Sequence, residues 1–411
     1  MKRIFLFVGL LGAAAFLGAQ LPIARAQSAP GPNEALGSPS FDAGDYVYIS
    51  GQGPRLADGT TPTKFSDQVR QSLDNVKRQV ERAGLTLDHL VYLQVYLEDI
   101  SHYSELNEVF SAYFPKDPPA RGVLGVARVP EPSVQITAVA VRDLKGKQPV
   151  SVPGWTLDKA YSAGMLTHDR LFVSSMPGSD PATGAVPQNP VAQVGLALDR
   201  LTAVLEAAGL TNANMVFVNP YLTPELSTRV MNEQYARRFE FGNTPARATI
   251  EVSSLPEGTH IVFTGVAVRD LGRRKAIRPK NMPPSPTASP CVFAGDTLYC
   301  SAKSGFIPGP NGSVYAATTP SQLRQTMRNQ LDNLEEASMD FSQVVSTTVY
   351  LDNISDTEAF NKVYSEYFKA PLPAQTVVQQ IRSSNRLPDA EEHFPDLEQM
   401  SLIAIRRPLK N

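Results

Sequence analysis

Cysteine and tryptophan are nearly absent from this chain of 411 residues, which has two of the former and one of the latter. The two cysteines form no C-x-x-C and have no neighbouring His, so nothing points to a thiolate metal site or a catalytic cysteine. The histidines, His89, His102, His168, His260 and His393, lack metal-ligand spacing and read as surface or turn residues. No metal and no cofactor is expected. Neither sign of charge is in excess: 38 basic residues are interleaved with 40 acidic ones, for a net charge of -2. A phosphate-binding surface needs clustered Lys and Arg, so nucleic acid is excluded as an expected partner. The one short basic run, Arg273, Arg274, Lys275 and Arg278, stands before a Pro-rich stretch and reads as a solvated linker. After residue 21 there is no long apolar run, which leaves no later segment able to cross a bilayer.

The one long apolar run stands at the start. Lys2 and Arg3 precede the stretch from Ile4 to Leu21, and Ala24-Arg25-Ala26 offers a small-x-small cleavage pattern before Gln27. Residues 1–26 are therefore expected to be a signal peptide and the protein to be periplasmic or secreted, with no membrane contact after cleavage. An uncleaved anchor is the alternative, because the stretch is near the ~18 residues that spanning requires. Residues 27–40, rich in Ser, Pro, Gly and Asn, read as a flexible leader.

Export makes a disulfide permissible. Cys291 and Cys300 flank two apolar runs around Gly295-Asp296. If those two residues form a hairpin loop, Cys291 lies directly opposite Cys300 and the pair can bond; two buried thiols are the alternative.

At 411 residues the chain exceeds one hydrophobic core, and it repeats. Asp45-Tyr46-Val47-Tyr48-Ile49-Ser50 matches Asp169 to Ser174 and Asp296 to Ser301. Each copy continues with an apolar stripe at helical spacing: Val69, Leu73, Val76 and Val80 before Gly84, then Val194, Leu198, Leu201 and Leu205 before Gly209. The third copy keeps Leu323, Met327 and Leu334 and moves one apolar slot to Leu331. A period-2 strand, a second helix and two closing strands complete each unit. Pro220 falls in the period-2 strand of the second copy, which is expected to be bulged or at an edge there. From Arg121 to Thr137 is 16 positions and from Gln375 to Ser401 is 26, so the third copy carries an extra loop around Arg386 to Pro395. The boundaries are 41–148 for repeat 1, 155–275 for repeat 2, 276–290 for a Pro-rich linker and 291–411 for repeat 3. The order strand, helix, strand, helix, strand, strand predicts an α+β layer, a sheet with two helices on one face. Three bare sheet faces in one chain can turn toward a common axis and form an intramolecular pseudo-trimer, so that a monomer does the work of a trimer.

Ser50-Gly51-Gln52, Glu81-Arg82-Ala83-Gly84-Leu85, Asn107, Pro119-Ala120-Arg121 and Ala138-Val139-Ala140-Val141-Arg142 together resemble the RidA (YjgF) family of imine and enamine deaminases, three times over. The resemblance implies a chorismate-mutase-like fold with ligand sites in clefts between units. There, an Arg from the Pro-Ala-Arg motif holds a substrate carboxylate and a Glu near the last strand helps water hydrolyse an imine. Arg121 and Arg247 match that Arg, and Gln375 takes its place in the third copy. Gln375 lacks the charge that a carboxylate needs, so one cleft is expected to be weak. Asn107, Asn232 and Asn361 match the helix Asn, and Ser50, Ser174 and Ser301 the Ser after the first hairpin. These polar groups either orient a ligand or cap local backbone. Tyr161 matches a family Tyr in the second copy only, Gly37 and Ala288 standing in the other two. The family Glu falls at Thr137, Thr264 and Ser401, none acidic, and Gln135 nearby is no base.

These residues imply an exported protein that binds small carboxylate-bearing metabolites in clefts between repeats and hydrolyses reactive imines or enamines. The missing Glu motivates an alternative, a non-catalytic binding or scaffold protein. A ribonuclease reading is disfavoured by the balanced charge and by export.

Overall fold

The computed structural model of the protein describes residues 36–280, 282–309, 312–381, 388–391 and 393–406. The expected signal segment, the leader up to residue 35 and Arg386 lie outside the described residues. Among the described residues, no helix is long and apolar enough to cross a membrane.

Each repeat folds into a mixed sheet with two helices against one face. In repeat 1 the strands run in the order Ser40–Asp42, Tyr46–Gln52, Val134–Val141, Leu90–Leu97, Ala120–Gly125. The helices are α1 (Phe65–Arg82) and α2 (Tyr103–Tyr113), followed by α3 (Pro190–Ala207) and α4 (Thr228–Tyr235) in repeat 2 and α5 (Thr319–Glu336) and α6 (Thr357–Tyr367) in repeat 3. The long helices bury the stripes expected of them, Val69, Leu73, Val76 and Val80 in α1 and Val194, Leu198, Leu201 and Leu205 in α3. Gly84 and Gly209 follow with φ near +74° and +73°, the left-handed geometry that stops a helix cheaply only at glycine. In α5 the inward slot did not move to Leu331. Gln330 occupies it, fully buried, and donates from Nε2 to the carbonyls of Ser301 (3.1 Å) and Met400 (2.8 Å). A buried amide is tolerated where its donors are satisfied, which a count of apolar positions does not register.

The segments between repeats are more structured than their composition indicates. Gln148–Val150 pairs with Gly164–Leu166, and Arg274–Ile277 pairs with Cys291–Ala294, so each extends the sheet of the following repeat by one strand. Arg274 is accordingly no solvated linker residue. Its Nε donates to the Met215 carbonyl (2.9 Å) and its terminal nitrogens hold Asn243. Residues 36–40 of the expected leader are also held, Ser38 donating its amide to the Pro373 carbonyl (3.1 Å) and Ser40 opening the first strand. Cys291 faces Cys300 across a two-residue turn, and the two are joined as a disulfide with Cα atoms 4.0 Å apart.

Pro220 corrects one expectation. Its strand, Met215–Leu222, is central rather than at an edge, and the antiparallel ladder to Ile261–Val268 passes through Phe263↔Pro220 unbroken. The break falls on the parallel partner, which is split into Ala246–Arg247 and Ile250–Glu251. Proline has no N–H to give there. Across the break the Ala248 amide donates instead to the side-chain oxygen of Asn219 (3.2 Å).

The bare sheet faces are covered by one another. One cluster gathers Tyr96, Leu124 and Val126 of repeat 1, Tyr221, Ile250 and Val262 of repeat 2, and Tyr350 and Val378 of repeat 3. A second joins Tyr46 and Tyr48 to Phe172 and to Val345 and Ile405. Near it, buried Arg170 donates to Tyr299 Oη (3.0 Å) and Thr297 Oγ1 (2.6 Å) and pairs through Nε with Asp169 (3.3 Å), which in turn accepts from Tyr46 Oη (2.5 Å). That network draws on all three repeats.

Candidate functional site

The seams between repeats are built by one recurring device. Ser174 Oγ accepts from the Arg121 amide (2.7 Å) and donates to the Ser162 carbonyl (2.5 Å). Ser301 does the same for Arg247 (2.8 Å) and Ser289 (2.7 Å), and Ser50 for Gln375 (2.8 Å) and Ser38 (2.5 Å). The contacts run from repeat 1 to 2, from 2 to 3, and from 3 back to 1. All three hydroxyls thus spend their one donor on a main-chain carbonyl, so none has a proton left to give a ligand carboxylate. Their part is to fix the backbone of the residue whose side chain enters the cleft.

At the seam of repeats 1 and 2, Arg121 opens the strand Ala120–Gly125 and is 2% exposed. Its guanidinium lies among Phe110 (4.6 Å), Tyr161 (5.0 Å) and Tyr103 (5.8 Å), measured to ring centroids, and donates from Nη2 to Asn107 Oδ1 (2.6 Å). Nε and Nη1 have no hydrogen-bond partner. Burial lowers the Arg121 pKa, against the opposite pull of Tyr103, Tyr161 and Asp158, yet a guanidinium stays charged at neutral pH. A buried guanidinium with unpartnered donors has the chemistry to pair with a carboxylate. Asn107 is oriented in turn by donating to Asp158 (3.0 Å).

The cleft over Arg121 has a volume of about 160 Å³, and several of its walls were not foreseen. Leu157 and Asp158 come from the first residues of repeat 2, Arg200 from α3, and Glu257 from the loop before the last strand. Arg200, 8% exposed, packs over Trp155 (4.8 Å) and donates from Nη1 to the Ser179 carbonyl (3.2 Å) and hydroxyl (3.1 Å). Glu257 is exposed at φ +62°, an uncommon conformation for a side-chain-bearing residue. Among the described residues no hydrogen bond or ion pair engages its carboxylate. By contrast, Asp158 accepts from Asn107 and the Ala160 amide, and Asp180 accepts from Thr183 and the Ala182 amide.

Thr137, Thr264 and Ser401 do not reach the clefts. All three line a separate cavity of about 110 Å³ where the three sheets meet, walled by Tyr92, Tyr96, Tyr221, Tyr299 and Tyr350. The last-strand position that faces a cleft is two residues earlier: Val262 at the Arg121 seam and Gln399 at the Arg247 seam. Gln135, the matching residue of repeat 1, packs against Gly51 and is buried. No last strand supplies a carboxylate at that position either.

The other two seams differ. Arg247 donates to Asn232 Oδ1 (2.7 Å) under the Tyr235 ring (5.1 Å), in a more open cleft walled by the Pro-rich segment and by Lys303, whose pKa burial lowers. Gln375 Oε1 accepts from the Leu36 amide (2.7 Å), and Gly37 packs so closely that a Cβ there would lie 2.5 Å from Gln375 Cβ. The chain's own N-terminal segment therefore fills that seam. Asn361 sits on α6 of the same repeat.

The model of the family described as Endoribonuclease L-PSP matches residues 27–142, 156–268 and 281–386. The chain belongs to this family. It carries three tandem RidA-type copies, as the motifs imply. Among its relatives is the 2-iminobutanoate/2-iminopropanoate deaminase of Escherichia coli strain K12, 38% identical over 106 residues, which are 25% of this chain and 83% of that protein. A RutC family protein of Pyrococcus horikoshii is 34% identical over 109 residues, 26% of this chain and 86% of its own. A solved chorismatase superposes on 77% of this chain and 93% of itself with a TM-score of 0.53 at 13% identity, a likeness that bears on the fold alone.

Proposed function

We propose that this is an exported imine or enamine deaminase that works at the seam of repeats 1 and 2, its three repeats standing in for a trimer as a single chain. The observation that carries the proposal is Arg121, a buried guanidinium with two unpartnered nitrogens on the wall of a cavity shared with Tyr161 and Glu257. The substrate carboxylate pairs with Arg121, Asn107 holds the guanidinium in place, and the imine carbon points toward the rim. Glu257 takes a proton from water as its oxygen adds to that carbon and returns one to the nitrogen. The hydroxyl so formed then gives its proton, through the same carboxylate, to the departing nitrogen as the C–N bond breaks, leaving a carbonyl and ammonia. A carboxylate on the loop thus does what the last strand lacks the residue to do.

Ammonia release from imines generated in place by an amino-acid oxidase tests the reading. Release above buffer is expected. Glu257→Gln should lower kcat by ~100-fold or more while the thermal shift given by 2-oxobutanoate persists. If the wild-type protein shows that thermal shift without turnover, it is instead a binding protein, the reading that the missing last-strand carboxylates favour.

A further inference from the structure

Position by position, the long helix of each repeat carries the same residue nine places before its terminating turn, with one exception. Asn75 precedes Gly84 and Asn329 precedes Ser338, while Arg200 precedes Gly209. The two asparagines have a local duty. Asn75 Nδ2 donates to the carbonyls of Gly53 (2.8 Å) and Arg55 (3.0 Å), and Asn329 Nδ2 to those of Ser304 (3.0 Å) and Phe306 (3.1 Å). Arg200 performs the equivalent duty with Nη1 alone, on Ser179. The rest of its guanidinium exceeds what the loop requires. Its Nε is buried without a partner, and no hydrogen bond among the described residues engages Nη2. Arg200 lines the same cleft as Arg121, so two cations, each more than nine-tenths buried and each with an unpartnered nitrogen, border one cavity. The free carboxylate of the cleft, Glu257, is exposed and forms an ion pair with neither.

Asp158, Asp180 and Glu257 act on these cations from a distance, the first two held in local hydrogen bonds, so a single ligand carboxylate leaves one guanidinium without a direct partner. We propose that the Arg121 cleft selects a short dicarboxylic 2-imino or 2-oxo acid, with Arg121 on the carboxylate beside the reacting carbon and Arg200 on the distal one. The selection rests on the assignment of the cleft as the ligand site. The side-on fork of Arg200, Nε with Nη2, is the edge that matches a carboxylate bidentately. The Arg247 seam lacks this device because Asn329 stands where Arg200 would be, so the preference belongs to one of the three seams.

Calorimetric titration of the full chain with 2-oxoglutarate and with 2-oxobutanoate tests the selection, and ammonia release from the imines of aspartate and of 2-aminobutanoate follows turnover in parallel. The dicarboxylate is expected to bind about 10- to 100-fold more tightly. Arg200→Asn, which restores the residue of the other two repeats and can still hold Ser179, should bring the two ligands within about twofold. Arg200→Lys retains the charge without the fork and should give an intermediate ratio, which also serves if the Asn variant fails to fold. Equal affinities in the wild-type chain, or a preference that survives Arg200→Asn, would overturn the selection even if imines are hydrolysed. Selective binding without ammonia release would uphold it and overturn the deaminase reading instead.

Discussion

Arg121 is held where it is costly to keep. Two of its nitrogens have no partner, and the three rings around it supply only the weaker attraction of their π-faces. Arg121→Met should therefore reduce kcat/KM by at least ~100-fold, the loss of two charge-assisted hydrogen bonds, without lowering the melting temperature. Steady-state kinetics and calorimetry on the same preparation check both halves. Ser174→Ala should do the reverse. It leaves the buried Arg121 amide unsatisfied and should cost about 1–3 kcal/mol of stability, measured by denaturant unfolding. Arg121, Asn107 and Tyr161 were readable from the sequence because their motifs are local and their chemistry is explicit. The carboxylate proposed as acid and base, Glu257, was not. Counting back from the Ala-Val-Ala-Val ending landed on Thr137, Thr264 and Ser401, two residues beyond the position that faces a cleft. A shift of two along a strand keeps the sheet face but moves ~6.6 Å, here from the seam into the central cavity. Glu257 and Arg200 carry no motif, although aligning the three copies against one another singles out Arg200.

At the scale of elements, pattern succeeded where apolar residues decide the structure and failed where polar ones do. The stripes of α1 and α3 are buried as spaced, and Cys291 and Cys300 meet because a two-residue turn fixes their register. Gln330 and the strand Arg274–Ile277 escaped because hydrogen bonding, and not hydrophobicity, draws them in. The disulfide closes a loop with a sequence separation of 9, so the unfolded chain it constrains is short. Reduction, or the paired change Cys291→Ser and Cys300→Ser, should cost about 2–3 kcal/mol, the loop-entropy value for a closure of that size. Thermal unfolding with and without a reductant reads this directly. Because Val292, Ala294 and Tyr299 of this hairpin also pack on Val216, Ala246 and Val268 of repeat 2, the loss is expected in a transition shared by the repeats.

The whole molecule depends on contacts among three repeats, and the Arg170 network is the polar part of them. Tyr46 comes from repeat 1, Asp169 and Arg170 from repeat 2, and Thr297 and Tyr299 from repeat 3. Burial works to raise the Asp169 carboxyl, but Arg170, the Tyr46 hydroxyl and His168 outweigh it and hold the carboxyl below its ordinary value. A carboxyl depressed in the folded state stabilises the fold at every pH above its unfolded value and loses that contribution as pH falls through the folded one. The loss therefore begins below about pH 4, where an unfolded Asp takes up its proton. Arg170→Met strands Asp169 without its cation and should cost about 3–5 kcal/mol at neutral pH. Asp169→Asn should remove part of the acid sensitivity, so that its stability relative to the wild-type chain improves as pH drops from 5 to 3. Denaturant midpoints across that range, followed by a probe in each repeat, distinguish the two possibilities: coincident transitions that weaken together in acid are expected if the network ties the repeats into one cooperative unit, and three separate transitions indifferent to Asp169 would show that it does not.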